Sequence, residues 1–328
     1  MSAYVADPDF AHAVELNPAK LSYAGYLYVS SDYEYESRSL GELFLPPSSE
    51  YFSNGNFVSW NASLGMPAGP IGVGAAFSAY DIGGWRTTSS SLGLAVPLPL
   101  GFSVGVAPKY LTVEKLMAIP GGDRVETLKA FAFDVGAMNR TVLANTTFFR
   151  AILSTGAVFT NILPKQSWDL TVGVPAPLNP NVTLPRSLGL GIAYTFASNY
   201  RLADFELFRV TGALDYTHVF TGDPPLDGLR EQPDQYRIGL ETMALGVLAL
   251  RIGYTLKSPS TPMTYAPDGP WVSQPGSGFS YGFSLRFPVK LVLPALPVTS
   301  LELSYAKNPE WSSGMYHDLF GAVAEILF

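Results

Sequence analysis

Between Val58 and Ala79, apolar residues alternate one by one with small or polar ones. Val58, Trp60, Ala62, Leu64 and Met66 are interleaved with Ser59, Asn61, Ser63 and Gly65. After the turn Pro67-Ala68-Gly69-Pro70, Ile71, Val73, Ala75, Phe77 and Ala79 are interleaved with Gly72, Gly74, Ala76 and Ser78. Side chains on a strand point to opposite faces in turn, so this is a hairpin with one greasy face and one small or polar face. Leu92, Leu94 and Val96 repeat the rule, turn at Leu98-Pro99-Leu100-Gly101, and return through Phe102, Val104 and Val106. The chain ends on the same pattern. Phe320, Ala322, Ala324, Ile326 and Phe328 share one face of a last strand, against Gly321, Val323 and Glu325 on the other.

A repeated one-sided apolar sheet belongs either to a large soluble β-protein or to a barrel whose alternate residues meet lipid. Hydrophobic residues make up 47% of the chain and charged ones 14%, against about a quarter charged in a soluble domain. No apolar run reaches the roughly 18 residues of a membrane helix; Leu285 to Leu296 is broken by Arg286, Lys290 and two prolines.

Further strands are expected near 21–31, 126–140, 150–163, 186–197, 205–219, 234–243, 246–257, 278–289, 297–306 and 318–328. The total is about fourteen, an even number of segments long enough to cross a tilted bilayer. Connections at 67–70, 98–101, 141–149, 198–204, 244–245 and 290–296 are mostly short. Those at 32–56, 116–125, 164–185, 221–233 and 258–277 are mostly long and rich in Pro, Gly, Asn and Asp. Short turns at one end and long loops at the other are the barrel pattern. The expected fold is therefore all-β: a transmembrane antiparallel β-barrel over 21–328, preceded by a periplasmic, plug-like segment over 1–20. The expected location is the bacterial outer membrane, with lipid around the wall. Met1-Ser-Ala-Tyr-Val-Ala-Asp has neither a basic start nor an apolar stretch, so an exported chain with this start is expected to be a processed form.

Composition narrows the function. There is no cysteine, and the net charge is −7, which provides no footprint for nucleic acid. His12, His218 and His317 are scattered, with no arrangement for nucleophilic catalysis or a metal. No enzyme, cofactor or metal is expected.

With the greasier face outward, the inner face collects Asp134, Arg209, Asp215, Arg237, Glu241, Arg251, Arg286, Glu302 and Glu325. Arg or Lys on the lipid side would cost about 2–4 kcal/mol each at the midplane. Mixed signs suit either pairing that holds the barrel rigid or a lined transport path. Arg237 and Glu241, on one face of one strand, form with Arg251 on the next strand the expected cluster. Tyr23, Tyr26, Tyr28, Trp60, Tyr194, Phe196, Tyr254, Tyr281 and Phe328 are expected mostly in interfacial girdles. Trp85, Trp168, Trp271 and Trp311 fall in or beside outer loops, as a contact surface for partners or as residues buried where the loops fold over the mouth.

Several stretches resemble known families. Asn17-Pro18-Ala19-Lys20-Leu21 resembles the Asn-Pro-Ala-Gly-Leu entry motif of FadL-type channels for hydrophobic compounds and of the related PorV/PorQ family, with Lys20 in place of Gly. Phe131-Ala132-Phe133-Asp134-Val135-Gly136 resembles the second family's Phe-x-x-Asp-x-Gly strand, and Leu184 to Tyr194 its Leu-Pro entry to an aromatic-ended strand. Gly239-Leu240-Glu241 followed by Arg251-Ile252-Gly253-Tyr254 is similar to its Gly-x-Glu and Arg-x-Gly-Tyr hairpin. The ending through Phe320 and Ile326 to Phe328 resembles the assembly signal of outer-membrane barrels. The resemblance implies fourteen strands and a non-enzymatic component of a type IX secretion or cell-surface assembly that binds protein partners. The alternative is a FadL-like channel with a hydrophobic ligand and a lateral opening, for which Pro108 and Pro288 mark places where a strand would kink.

Overall fold

The computed structural model describes residues 13–25, 27–37, 58–82, 85–119, 122–170, 186–202, 205–220, 234–257, 278–293, 296–309 and 316–326. Fourteen strands close into one antiparallel barrel. They are β1 (Leu27–Ser37), β2 (Val58–Ala68), β3 (Ile71–Ile82), β4 (Trp85–Leu98), β5 (Phe102–Ile119), β6 (Gly122–Asn145) and β7 (Phe149–Leu170). The wall continues with β8 (Arg186–Ser198), β9 (Phe208–Phe220), β10 (Gln235–Ala244), β11 (Leu248–Lys257), β12 (Gly278–Phe287), β13 (Val298–Pro309) and β14 (Tyr316–Ile326). Each strand pairs with its chain neighbours, and β1 meets β14 with Leu27 opposite Ile326 and Ser37 opposite Tyr316. No helix among the described residues is long and apolar enough to cross a membrane.

The alternation dictates the wall's two surfaces. On β4, Leu92, Leu94 and Val96 are exposed while Ser91, Gly93 and Ala95 are buried. On β8, Leu190, Ile192, Tyr194 and Phe196 point out while Ala193, Thr195 and Ala197 point in. A continuous apolar exterior is costly in water and is the expected surface toward lipid. Closure also leaves no sheet edge unpaired.

Two short turns use the left-handed backbone that matches strand twist: Leu100 and Gly101 at φ 63° and 75°, and Leu245 and Gly246 at φ 55° and 64°. At the same end, a two-residue ribbon (Arg201–Leu202 with Phe205–Glu206) joins β8 to β9, and a short helix (Val289–Val292) lies between β12 and β13. At the other end, strands replace much of the expected loop. β5 and β6 pair as far as Ile119 and Gly122, and β7 runs on to Leu170. Long alternating strands propagate their ladders beyond the apolar belt, which a rule based on membrane thickness does not anticipate.

The first expected strand is corrected. Leu21 is not in the wall: α1 (Ala13–Leu16) and a 3-10 turn (Pro18–Tyr23) occupy the lumen, and β1 starts at Leu27. Asn17 caps the turn, its Oδ1 accepting the Ala19 N–H at 3.1 Å. Pro18 stands at the first helical position, where its missing N–H costs nothing.

This inner segment packs where the wall is mostly glycine and alanine. Gly65, Gly74 and Gly93 lie side by side across β2, β3 and β4, and Ala95, Gly105 and Gly136 across β4, β5 and β6. A Cβ on Gly93 would meet Leu21, one on Gly105 the Pro18–Ala19 backbone, and one on Gly136 the Asn17 side chain. Asn17 Nδ2 donates to the carbonyls of Ala137 and Ala157 at 3.3 and 3.5 Å. Ser103 Oγ donates to the Ala19 carbonyl at 3.1 Å, and the Tyr23 hydroxyl to that of Gly101 at 2.6 Å.

Candidate functional site: a two-faced lumen

The lumen has two unlike walls. One, on β1 and β3–β5, is small and apolar: Ala76, Ala95, Ala107 and Tyr28 enclose Ala13, Val14, Leu21 and Ala24 of the inner segment. The opposite wall, on β9–β14, carries charge. Arg209 donates to Glu241 at 2.7 Å, and Arg251 to the same carboxylate at 2.7 Å. Arg251 also reaches Ser284 at 2.8 Å and Glu302 at 3.0 Å. Arg286 is ion-paired with Glu325 and donates to Ser300 at 3.2 Å, and Ser300 in turn donates to Glu325 at 2.8 Å. Register supports the ladder: Glu241 stands directly opposite Arg251. These side chains are mostly shielded, so each charge depends on its partner for solvation.

The expected cluster of Arg237, Glu241 and Arg251 divides. Glu241 and Arg251 pair, whereas Arg237 donates to Thr217 at 3.4 Å and Gln235 at 2.5 Å. Four residues along a strand span roughly 13 Å, too far for Arg237 to reach Glu241. Asp215, buried, stands opposite Arg237 in the ladder.

Asp134 belongs to a separate knot on the other side. Lys109 Nζ lies 2.7 and 2.8 Å from its two oxygens, and the Asn161 N–H donates to Oδ1 at 2.8 Å. Asn161 has φ 56°, and the β6–β7 register shifts between Phe131 and Phe133 and again between Phe133 and Val135. Asp134 thus satisfies a donor that a β-bulge takes out of the ladder. Pro108, opposite Phe133 on β5, shows no register shift toward β4, but the two positions between the Ser91–Lys109 and Leu94–Val106 pairs carry no ladder partners. The irregular wall is therefore centred on β6–β7. Pro288 lies after β12, at the cap of the short helix, and kinks no strand.

Among the expected girdle residues, Trp60, Tyr194, Phe196, Tyr254 and Tyr281 face outward, and the Tyr254 ring packs tilted against Phe279 with centroids 4.8 Å apart. Tyr28 points inward and is buried, and Tyr23 belongs to the inner segment; both leave the girdle. Tyr26 and Phe328 lie outside the described residues. Phe320 faces outward and Ile326 pairs with Leu27 and Val298. Trp85 opens strand β4 and Trp168 lies near the outer end of β7, both beside outer connections, and Trp271 and Trp311 lie outside the described residues. Sequence reasoning missed Lys109, although it continues the inward series Ser103, Gly105 and Ala107 at period two. It also missed the glycine rows, whose signal was glycine recurring on the small faces of five strands, β2 to β6.

No family model and no curated protein sequence matches the chain. Solved structures do. A FadL homologue of Pseudomonas aeruginosa matches with TM-score 0.50 at 10% identity, over 99% of this chain and 96% of that one. The toluene transporter TodX of Pseudomonas putida matches with TM-score 0.52 at 12% identity, over 99% and 95%. A deltaS2 mutant of the TodX monoaromatic hydrocarbon channel gives TM-score 0.53 at 13% identity, over 100% and 97%. The fold is that of the FadL-type outer-membrane barrels. The apolar exterior, the closed wall and the short-turn end that holds both termini of the sheet all agree with it.

Proposed function

We propose that this protein is a non-enzymatic channel for small hydrophobic molecules in a bacterial outer membrane, with the segment Ala13–Tyr23 as its plug. The observation that carries this reading is the apolar half of the lumen. There Val14 and Leu21 rest on alanine and glycine, and hydrogen bonds from Ser103 and Tyr23 tie the segment to the wall. Such a contact releases into a path that is itself apolar. The opposite wall keeps its charges paired. The fold likeness to a toluene transporter adds support.

The test is uptake of labelled toluene by cells lacking other hydrocarbon channels. Expression of the chain should accelerate uptake several-fold over empty vector, with no gain for a hydrophilic sugar. Unchanged toluene entry at normal membrane levels of the barrel would sink the proposal.

A PorV/PorQ-like role in type IX secretion or a surface assembly has less support. Its most specific motif, Glu241 with Arg251, is accounted for by a lumenal ion pair. Two of its four tryptophans, Trp271 and Trp311, lie outside the described residues. Recovery of a stoichiometric surface or secreted protein with the gently extracted barrel would favour it.

A further inference from the structure

Turns that meet water are ordinarily polar and built from Gly, Asn, Asp or Ser. The short-turn end of this barrel is apolar. Its connections at 69–70, 99–101, 146–148 and 245–247 contain no charged residue. Leu100 is 87% exposed and Val292, in the short helix, 77%; Leu143, Phe148, Leu245 and Leu293 are exposed as well. Leu100 and Leu245 also hold left-handed backbone, at φ 63° and 55°. Bulky side chains rarely enter that region, and a turn in water fills it with Gly, Asn or Asp. Water favours leucine at neither position, for its side chain or for its backbone.

The apolar belt leaves no room for a polar collar at this end. On the outward face of β5, Tyr110 is followed by Thr112 and Glu114, and Leu100 stands ten positions before Tyr110. On β10, Asp234 precedes Tyr236 on the same face, and Leu245 stands nine positions after Tyr236. A tilted strand takes about 9–11 residues to cross a bilayer. A crossing that begins at the outer tyrosines is therefore completed at the turns themselves. The exposed tips come from the β4–β5, β6–β7, β10–β11 and β12–β13 connections, so they are spread round the ring instead of forming one patch. They continue the lipid-facing wall through Leu98, Phe102, Leu248 and Phe287. Among the described residues, the exposed charges at this end are basic, Arg201 and Lys290, while Glu206 is paired with Arg150. Long cationic side chains bury their stems in apolar surroundings and carry their charge to the polar boundary.

We propose that the short-turn rim is a lipid-docking surface seated in the periplasmic leaflet. Leu100, Leu143, Phe148, Leu245, Val292 and Leu293 enter the boundary between acyl chains and phospholipid head groups, as the apolar face of an interfacial helix does, and Arg201 and Lys290 meet the phosphates. The barrel ends flush with the membrane, and its lower mouth opens at the lipid surface rather than in the water below. This assignment rests on the barrel's place in the outer membrane and not on what passes through it.

The test uses single cysteines in the full chain, which has none of its own. Each carries a nitroxide, and the barrel is reconstituted in vesicles of phosphatidylethanolamine and phosphatidylglycerol. Power saturation compares collisions with oxygen, which concentrates in lipid, and with a water-soluble nickel chelate. Leu94→Cys marks the belt and Glu114→Cys the aqueous side. At Leu100→Cys, Leu143→Cys, Leu245→Cys and Leu293→Cys, the ratio of oxygen to chelate collisions should exceed that at Glu114→Cys about threefold. Leu143 and Leu293 lack the left-handed backbone, so they report even where a turn leucine resists replacement, and heat-modifiable gel migration verifies that each variant is folded. Chelate collisions at the tips equal to those at Glu114→Cys overturn the proposal. Labels that are wet in the vesicles yet immobilised in native outer-membrane fragments also overturn it, and assign the rim to a protein partner. Arg201→Gln with Lys290→Gln should lower the phosphatidylglycerol retained by the purified barrel about threefold, and unchanged retention overturns the phosphate contact.

Discussion

Glu241 is the joint of the lumenal ladder, because Arg209 and Arg251 share its carboxylate. Glu241→Ala leaves two shielded guanidinium groups short of a partner and should cost about 2–4 kcal/mol. Glu302→Ala should cost less, about 1 kcal/mol, since Arg251 keeps Glu241 and Ser284. Urea unfolding of the barrel in lipid vesicles measures both, and equal losses would refute the shared role. The inward placement of these charges was legible in the sequence, because period two fixes which face a residue takes. Their partners were not, because pairing depends on register and tilt. Arg237 and Glu241 share a face yet stand too far apart, while Arg286 bonds to Glu325 rather than to Glu302, its neighbour in the ladder.

The plug and the wall fit through glycine. Gly105→Leu would place a branched side chain on the Pro18–Ala19 backbone, which has nowhere to retreat. The chain has no cysteine, so an Ala19→Cys thiol reports alone: it should resist a membrane-impermeant maleimide in the otherwise unaltered barrel and react at least tenfold faster once Gly105→Leu is added. Equal labelling rates would show that the glycine row does not seat the plug. Asp134→Ala should loosen another element. It strands Lys109 and the Asn161 N–H, so amide exchange should quicken across the β6–β7 bulges and stay unchanged on β10–β11. The start of β1 was misread for a physical reason. Tyr23 and the tyrosines beyond it continue a strand-like pattern, yet Asn17 and Pro18 begin a helical turn, and the local cap prevails until the chain has entered the lumen.

Taken whole, the barrel is an apolar sleeve with one soft and one stiff inner wall. The number of strands and their closure were readable from alternation and the even count of strands. The outer connections were less so, since β5, β6 and β7 continue beyond the belt. Removing residues 1–25 should convert the sealed sleeve into a pore, seen as steady conductance in planar bilayers, while the wall keeps its heat-modifiable migration. Absence of added conductance would mean that the wall alone closes the lumen. The plug's position also has a consequence for biogenesis. The seam between β1 and β14 joins the chain's most distant strands, the kind of contact that forms late because it closes the longest loop. The plug precedes β1 and ends up inside the ring against β3–β6, so strands that pair early offer it a seat before that seam zips. A nascent chain that closes first would have to thread its plug through the mouth of a finished ring, so the glycine rows favour one order of assembly.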